Sequence, residues 1–174
     1  SAMPNVRIMT RTAVTGAYDQ GTFGALERVG DFAPPRVGLP RSCFWRIVAK
    51  RSVLCAGSLE RSIAFPNNDR PGVMMAGAVR AYVNRWGVAT GKKVAVFGNN
   101  DDVAKTARDL RAAGIDVVAE LDSRTGARVI DTAGRHGLQS ITVSQNGENA
   151  KIEADCLAVT GGWNPTVHLT CHMN

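Results

Sequence analysis

The clearest hydrophobic pattern of the chain lies in residues 92–124. Residues 94–97 form a short apolar run without alternation, which is typical of a parallel strand covered on both faces. Residues 98–102 combine turn-forming and helix-capping side chains. A helix follows, with apolar residues on one stripe: Val103, Ala104, Ala107, Leu110 and Ala113. Gly114 is placed to end it, and a second strand begins at 115 and ends near 122. The pattern predicts a strand–helix–strand unit of the dinucleotide-binding type.

In the first third of the chain, apolar residues recur at the short spacing that is typical of strands. We predict strands over residues 5–14, 22–29 and 43–50, and a short buried strand over 52–57 that ends at a glycine. Residues 31–41 are rich in proline and glycine, which predicts a loop.

The remaining apolar periods complete an α/β pattern. A helix is predicted over residues 73–86, because its apolar side chains share one face, and a weaker helix over 126–136. Asn146-Gly147 predicts a hairpin turn between short apolar runs, and residues 155–159 predict another buried strand. The fold class expected is α/β, with a Rossmann-like parallel sheet.

The turn after the strand at 94–97 departs from the dinucleotide fingerprint. Where the pattern G-x-G-x-x-G has glycine, this chain has Gly98, Asn100 and Val103. Asp101 and Asp102 fall in the first helical turn, where they would repel a diphosphate. The pattern therefore predicts the fold more strongly than it predicts a cofactor.

One acidic residue, Asp122, lies at a position where the dinucleotide-binding fold commonly has a carboxylate. Asp122 lies at the end of the second strand, where a carboxylate usually binds an adenosine ribose hydroxyl. A solvated carboxylate at a strand end is the alternative interpretation. Gly98, Asn100 and Asp122 are thus the candidate cofactor-binding residues of this stretch.

Composition narrows the classes of function. The net charge of +6 is spread along the chain without a dense basic block, which argues against nucleic-acid binding. No apolar run approaches the roughly 20 residues that a membrane-spanning helix needs, so no membrane association is expected. The cysteines at 43, 55, 156 and 171 show no C-x-x-C motif or metal-ligand spacing, which predicts reduced thiols and a cytoplasmic location.

No set of catalytic or metal-binding residues is evident. His136, His168 and His172 are isolated from one another and from any motif, so we expect them to be surface histidines without a catalytic role. No serine lies in a nucleophile-elbow motif. Glu60 and Arg61 follow the predicted strand at 52–57 and could form a structural ion pair.

Several longer segments together resemble one family. Residues 51–57 (RSVLCAG) and 154–161 (ADCLAVTG) resemble two glycine-containing strands of flavoproteins with two dinucleotide-binding domains. Longer segments resemble the alpha subunit of heterotetrameric sarcosine oxidase and its relatives in opine and amino-acid dehydrogenase complexes: YDQGTFGALERV (18–29), IAFPNNDRPGVMMAGAVRAYVNRWGV (63–88), VFGNND (96–101) and LAVTGGWNPTVHL (157–169). The resemblance covers nearly the whole chain.

The resemblance implies a part of a multi-subunit amine oxidase. In that family the beta subunit carries FAD and the amine-oxidising site, FMN lies at the alpha–beta boundary, and the alpha subunit binds NAD. The complex demethylates sarcosine to glycine and forms hydrogen peroxide. The expected partners are the other sarcosine oxidase subunits, and the fragment itself is expected to have no catalytic activity.

The resemblance also implies a division of the chain into domains. Residues 1–65 would form part of an FAD/NAD(P)-binding domain of the thioredoxin-reductase type, 66–90 a linker and helix, 91–149 an inserted Rossmann-like domain, and 150–174 the return to the first domain. The first strand–helix–strand unit of the family and its C-terminal folate domain have no counterpart in this sequence. Apolar surface left by that absence is expected to favour a homodimer.

The resemblance places NAD on the first of these domains. Thr12 and Val14 would lie on the adenine side, and Ala56, Gly57 and Ser58 would let the backbone come close to the nucleotide. Three alternatives remain open at this point: an opine or amino-acid dehydrogenase subunit, a nucleotide-sensing or protein-interaction module without redox chemistry, and a reductase domain that uses NAD(P)H.

Overall fold

A computed structural model describes residues 3–30, 38 and 40–172. The chain divides into two compact units, one of Ser1–Gly57 with Pro165–Asn174 and the other of Ser58–Asn164. The predicted loop at 31–41 lies mostly outside the described residues.

The first unit contains an antiparallel sheet in the order β1-β2-β3, formed by Thr12–Tyr18, Thr22–Arg28 and Ser42–Val48. A tight 3-10 turn over Asp19–Gly21 joins β1 to β2. The predictions of the second and third strands are confirmed, whereas the first strand begins at Thr12, later than the pattern indicated.

The predicted buried strand at 52–57 is wrong. These residues are exposed and form no strand. Val53 is 87% exposed and Leu54 41%. A buried strand needs neighbouring strands to pair with its backbone, and an apolar run in the sequence does not report whether such neighbours exist.

The second unit has a parallel sheet at its centre, in the order β5-β11-β6-β7. Its strands are β5 (Val73–Met75), β6 (Lys93–Gly98), β7 (Asp116–Asp122) and β11 (Cys156–Thr160). Two helices, α1 (Ala76–Trp86) and α2 (Asp102–Ala112), pack on one face of the sheet. The α/β class with a parallel sheet is confirmed.

An antiparallel sheet covers the other face of the parallel one. It has the order β10-β9-β8, formed by Glu148–Glu153, Ser140–Gln145 and Arg128–Ala133. Val94 and Val96 of β6 face the helices, while Ala95 and Phe97 pack toward this second sheet. Burial on both faces explains why β6 is apolar without alternation. A short pair, β4 (Ser58–Glu60) and β12 (Trp163–Pro165), completes the strands.

The strand–helix–strand prediction is confirmed over β6, α2 and β7. Gly114 has φ +77°, and the N–H groups of Gly114 and Ile115 donate to the carbonyls of Arg111 and Leu110. These two hydrogen bonds are those of a Schellman motif, so the glycine ends α2 as predicted. Ala104 and Ala113 are exposed, and buried Thr106 lies on the apolar stripe instead.

The predicted helix at 126–136 is wrong, because residues 128–133 form β8. The stretch has β-branched residues at Val129, Ile130 and Thr132, which favour a strand. Val129 and Thr132 are both buried in that strand. The predicted hairpin at Asn146-Gly147 is confirmed by the pairing of β9 with β10.

Residues 150–174 are predicted to belong to the first domain, but the strand at 156–160 lies in the parallel sheet of the second unit. β11 pairs with β6 on one side and with β5 on the other, so it shares a sheet with the segment predicted to be inserted. The rest of the predicted division into domains stays a prediction.

Candidate functional site

The carboxyl ends of β11, β6 and β7 bring the candidate residues of the second unit together. Gly98 lies opposite Thr160 of β11 on one side and opposite Asp122 of β7 on the other. The chain leaves β6 for α2 and β7, whereas β11 lies on the opposite side of β6, so the strand order reverses here. In open α/β sheets nucleotides bind in the crevice at such a reversal.

Gly98 serves close packing between the strands and the helix. A Cβ atom at this position would lie 2.5 Å from Cγ2 of Thr160, 2.6 Å from the Thr160 carbonyl oxygen and 2.7 Å from Cγ2 of Val103. The side chain of Val103 therefore packs directly over the glycine. The space beside this glycine is therefore filled by Thr160 and Val103.

Asn100 makes hydrogen bonds through both ends of its amide. Its Oδ1 accepts from the backbone N–H of Asp102 at 3.0 Å. Its Nδ2 donates to the Thr160 carbonyl oxygen at 3.2 Å, and it lies 3.3 Å from the Thr160 hydroxyl. Thr160 is fully buried. The side chain thus joins the start of α2 to the end of β11.

The two aspartates of the first helical turn are also engaged. Asp102 accepts a hydrogen bond from Nε1 of Trp163, and its Oδ1 lies 4.0 Å from Nη1 of Arg80. Asp101, which is highly exposed, forms an ion pair of 2.8 Å with Nη2 of Arg124. Their negative charge remains at the helix end that would otherwise attract an anion.

Asp122 is held by Arg124 two residues later. The Arg124 backbone N–H donates to Oδ1 of Asp122 at 2.9 Å, and Nη2 donates to Oδ2 at 2.7 Å. These hydrogen bonds from the guanidinium and the backbone lower the pKa of the Asp122 carboxyl. The side-chain contacts of the guanidinium with Asp122 and Asp101 raise the pKa of Arg124.

A second acidic group lies at the start of α1. Oε2 of Glu60 accepts from the Gly77 N–H at 2.7 Å, and a Cβ at Gly77 would lie 2.6 Å from that oxygen. Glu60 therefore caps α1 in place of a local side chain, and the glycine admits it. Burial raises the pKa of the Glu60 carboxyl, and Asp102 adds to the rise, while the Gly77 hydrogen bond opposes it. Its Oε1 is buried without a hydrogen-bond partner.

The residues at this strand end do not fit a dinucleotide pyrophosphate. The Asp102 N–H, which would be a phosphate donor in the usual site, is already bonded to Asn100. The amide of Asn100 lies over the end of β11, and two carboxylates follow it. The carboxylate that would bind the ribose is occupied by Arg124.

The other candidate residues lie elsewhere in the chain. Thr12 and Val14 are in β1, where the Thr12 hydroxyl donates to the Thr10 carbonyl and Val14 is 45% exposed. Ala56 and Gly57 are exposed, and Gly57 has φ +72° with nothing within 4 Å of an added Cβ. Ser58 begins β4. Their assignment to NAD stays a prediction.

The first unit contains an apolar cavity of about 250 Å³. It is lined mainly by Val14, Ala17, Phe23, Ile47, Leu54 and Leu169. Among the candidate residues only Val14 contributes to it. Among the described residues that line it, none is titratable, and they offer mainly apolar contact.

Other kinds of site find little support in the described residues. Among residues 3–30, 38 and 40–172, no group of three or more His, Cys, Asp and Glu side chains could hold a metal ion. His136, His168 and His172 are exposed. No helix in the same ranges has both the length and the apolar character needed to cross a membrane.

The chain is similar to curated proteins of one kind. The sarcosine oxidase alpha subunit of Rhizobium meliloti (strain 1021) is 44% identical over 186 aligned residues, which cover 98% of this chain and 19% of that protein. The alpha subunit from Corynebacterium sp. (strain P-1) is 39% identical, over 92% of this chain and 19% of that protein. The chain thus spans about a fifth of these relatives, and the resemblance predicted from the motifs is confirmed. No protein-family model matches the chain.

Solved structures confirm the fold. The L-proline dehydrogenase of P. horikoshii superposes with a TM-score of 0.65 at 26% identity, covering 92% of this chain and 29% of that one. An NAD-dependent persulfide reductase from A. fulgidus gives 0.54 at 14% identity, covering 97% of this chain and 34% of that one. Thioredoxin reductase of T. acidophilum gives 0.51 at 12% identity, covering 91% and 54%. The last two likenesses show the fold alone.

Sequence reasoning missed the residues that engage the candidates. Thr160, Trp163 and Arg124 were not named, although they contact Asn100, Asp102 and Asp122. The position of Arg124 just after a strand-end aspartate was a usable signal. The contacts of Thr160 and Trp163 depend on the pairing of β11 with β6, which the sequence does not report.

Proposed function

We propose that this chain, which matches a fifth of the sarcosine oxidase alpha subunit, supplies a nucleotide-fold portion of the alpha subunit of a sarcosine-oxidase-like complex. The observation that carries the proposal is the 44% identity over 98% of the chain. In the whole complex sarcosine, oxygen and water would give glycine, formaldehyde and hydrogen peroxide. The relatives and the structural neighbours are oxidoreductases by name, which supports the class of reaction.

In this proposal the chain has no amine-oxidising site of its own. Oxidation of an amine with electron transfer to oxygen needs a flavin, and the partner subunits would carry it as FAD and FMN. Two features support a structural role for this part. The strand-end groups of the second unit are bonded to one another, and the described residues that line the cavity of the first unit include no acid or base.

Any NAD of the alpha subunit would associate with the first unit. Exposed Ala56 and Gly57, with open space around the Gly57 Cβ position, would allow a nucleotide to approach the backbone. Thr12 and Val14 are the residues that we propose for its adenine side. NAD itself supplies hydride-transfer chemistry when it is bound.

The location and assembly of the complex are part of the same proposal. All four cysteines are free, and Cys55 and Cys171 are exposed, which supports a cytoplasmic location because exposed thiols persist in reducing compartments. The other subunits of the complex are the proposed partners. Association of this chain with a second copy stays a prediction, and size-exclusion chromatography with light scattering tests it.

An amino-acid dehydrogenase is the second candidate. The P. horikoshii protein, named as an L-proline dehydrogenase, shares 26% identity and a TM-score of 0.65 with this chain. Sarcosine and L-proline are both secondary amino acids, so the same fold portion could serve either oxidation in a partner subunit. The choice of amine would be made outside this chain.

Purification of the complete complex through a tag on the subunit that contains this chain tests the proposal. We expect bound flavin, consumption of sarcosine and formation of hydrogen peroxide in equal amounts, with L-proline as the competing substrate. Oxidation of L-proline without sarcosine oxidation would establish the second candidate instead. A complex without flavin and without oxidation of either amine would refute both. The 174-residue chain alone serves as the control and should show no flavin absorbance.

A further inference from the structure

We propose that the nucleotide crevice of the second unit is closed by the chain's own side chains. Asn100 and Arg124 make the contacts there that phosphates and a ribose make in a working site. Together they would form an internal latch that joins α2 to the ends of β11 and β7. This inference is drawn from contacts within Ser58–Asn164 and does not depend on the proposed oxidase activity.

The first step of the argument concerns the start of α2. A phosphate at a helix N-terminus is held by backbone N–H groups that have no partner inside the helix. Here Oδ1 of Asn100 accepts from the Asp102 N–H at 3.0 Å, while the Asn100 carbonyl accepts from the Val103 N–H at 3.2 Å. Two donors of the first turn are therefore already used by the residue that replaces the second glycine.

The second step concerns the crevice between β6 and β11. A nucleotide in this fold passes over the gap where the strand order reverses. Nδ2 of Asn100 crosses that gap and donates to the Thr160 carbonyl at 3.2 Å, and the Asn99 N–H donates to the same carbonyl, also at 3.2 Å. A carbonyl at the strand end thus receives two donors from the chain itself.

The third step concerns the ribose position. Two nitrogens of the Arg124 guanidinium donate to the Asp122 carboxylate, at 3.0 Å and 2.7 Å to Oδ2. The same guanidinium lies 2.8 Å from the carboxylate of Asp101 across the turn. A ribose hydroxyl would have to displace this charged partner, and a diphosphate would meet Asp101 and Asp102 beside it.

A titration followed residue by residue tests closure directly. The isotopically labelled 174-residue chain is titrated with NAD, and then with ADP, while backbone amide resonances are recorded by NMR. We expect the amides of Gly98, Asp102, Asp122 and Arg124 to keep their positions up to millimolar ligand. Saturable shifts of these amides that disappear in Asp122→Asn would overturn the proposal.

Thermal unfolding tests whether Asn100 is a latch or a binding group. A latch residue stabilises the fold, whereas residues kept for binding are commonly neutral or costly to stability. Because Asn100→Ala removes the hydrogen bonds at both ends of the amide, we expect the melting temperature to fall by about 3–6 °C. Asn149→Ala, at an exposed position of β10, is the matched control and should change little. An unchanged or raised melting temperature for Asn100→Ala would contradict the latch.

A second variant separates the two ends of the amide. Asn100→Asp keeps an oxygen acceptor for the Asp102 N–H but places an oxygen against the Thr160 carbonyl. At neutral pH we expect the melting temperature to fall further than for Asn100→Ala, because two hydrogen-bond acceptors then face each other. The difference in melting temperature from wild type should shrink at low pH, when the protonated carboxyl can donate a hydrogen bond to the carbonyl. A difference that does not vary with pH would contradict the contact with Thr160.

Discussion

Arg80 of α1 donates a hydrogen bond from Nε to Oδ2 of Asp109 in α2 at 2.8 Å. Both side chains are largely shielded, with about a fifth and a quarter of their surfaces exposed. The contact ties together the two helices that cover one face of the parallel sheet. Arg80 also lies 4.0 Å from Asp102, so the double-mutant cycle, which isolates the Arg80–Asp109 term, is the suitable test of this contact.

A double-mutant cycle of Arg80→Ala and Asp109→Ala should show coupling of about 0.5–1 kcal/mol in the free energy of unfolding. Arg80 lowers the pKa of the Asp109 carboxyl, chiefly through their hydrogen bond. Because the folded-state pKa lies below the unfolded one, the stabilisation is complete above the unfolded pKa. It is lost as the pH falls through the folded pKa. Urea unfolding at several pH values measures this loss of stability. An unfolding free energy that varies with pH in the acid range equally for wild type and Asp109→Asn would contradict the contact.

Gly98→Ala tests whether the first fingerprint glycine serves packing. The added methyl would lie 2.5 Å from a side-chain atom of Thr160 and 2.6 Å from its backbone oxygen, so the strands must move apart. We expect a loss of about 1–3 kcal/mol in the free energy of unfolding. Gly137→Ala is the control, because its nearest atom would be an ordinary contact of 3.5 Å. Equal stability of the two variants would show that Gly98 is not tightly packed.

Arg70 holds the segment before β5 against β8. Its guanidinium donates to the Thr132 hydroxyl at 3.1 Å, to the Thr132 carbonyl at 3.2 Å and to the Gly134 carbonyl. Only the planar guanidinium, with donors on three nitrogens, can make all three contacts. We therefore expect Arg70→Lys to recover little of the unfolding free energy that Arg70→Ala loses. We expect a loss of about 2–3 kcal/mol for the alanine variant.

Hydrogen exchange locates this effect in the structure. The Leu138 N–H donates to the Pro71 carbonyl at 2.7 Å, next to the segment that Arg70 holds. Its exchange should speed up in Arg70→Ala, while the amides of α2 keep their relative protection. A uniform increase over the second unit would mean that Arg70 supports the whole unit and not this segment.

Glu60 is expected to oppose stability in its ionised form. Burial raises its pKa, so the penalty is fully present above the folded-state pKa and disappears as the pH falls below the unfolded pKa. Glu60→Gln, which keeps an acceptor for the Gly77 N–H, should be at least as stable as wild type at pH near 7. Glu60→Ala should lose about 1 kcal/mol with the helix cap. Thermal unfolding across the acid range measures the stabilities of both variants. A Glu60→Gln variant less stable than Glu60→Ala would refute the role of Glu60 as a buried helix cap.

The local part of the fold was predictable from periodicity. Residues 94–122 have an apolar run, a capping turn, an apolar stripe and a glycine stop in the order that is typical of a strand–helix–strand unit. The helix predicted at 126–136 failed because its polar residues mask the alternation of buried Val129 and Thr132. The strand predicted at 52–57 failed because burial depends on neighbouring strands.

The candidate site was predictable only in part. Gly98, Asn100 and Asp122 are found from the fingerprint alone, and the structure brings them together at the strand ends. What fills the site depends on sheet order, since Thr160 reaches Asn100 only because β11 lies beside β6. Local patterns therefore indicate the strand end at which this type of fold commonly binds a nucleotide, and tertiary contacts show which side chains lie there.

Calorimetric titration of the chain with NAD, in parallel with its Asp122→Ala variant, tests the central claim most directly. The claim is that this nucleotide fold acts as a scaffold whose own strand-end crevice takes no dinucleotide. We expect at most weak binding, of millimolar strength, that is the same in both proteins. A sub-micromolar dissociation constant for the wild-type chain that is lost in Asp122→Ala would contradict the claim.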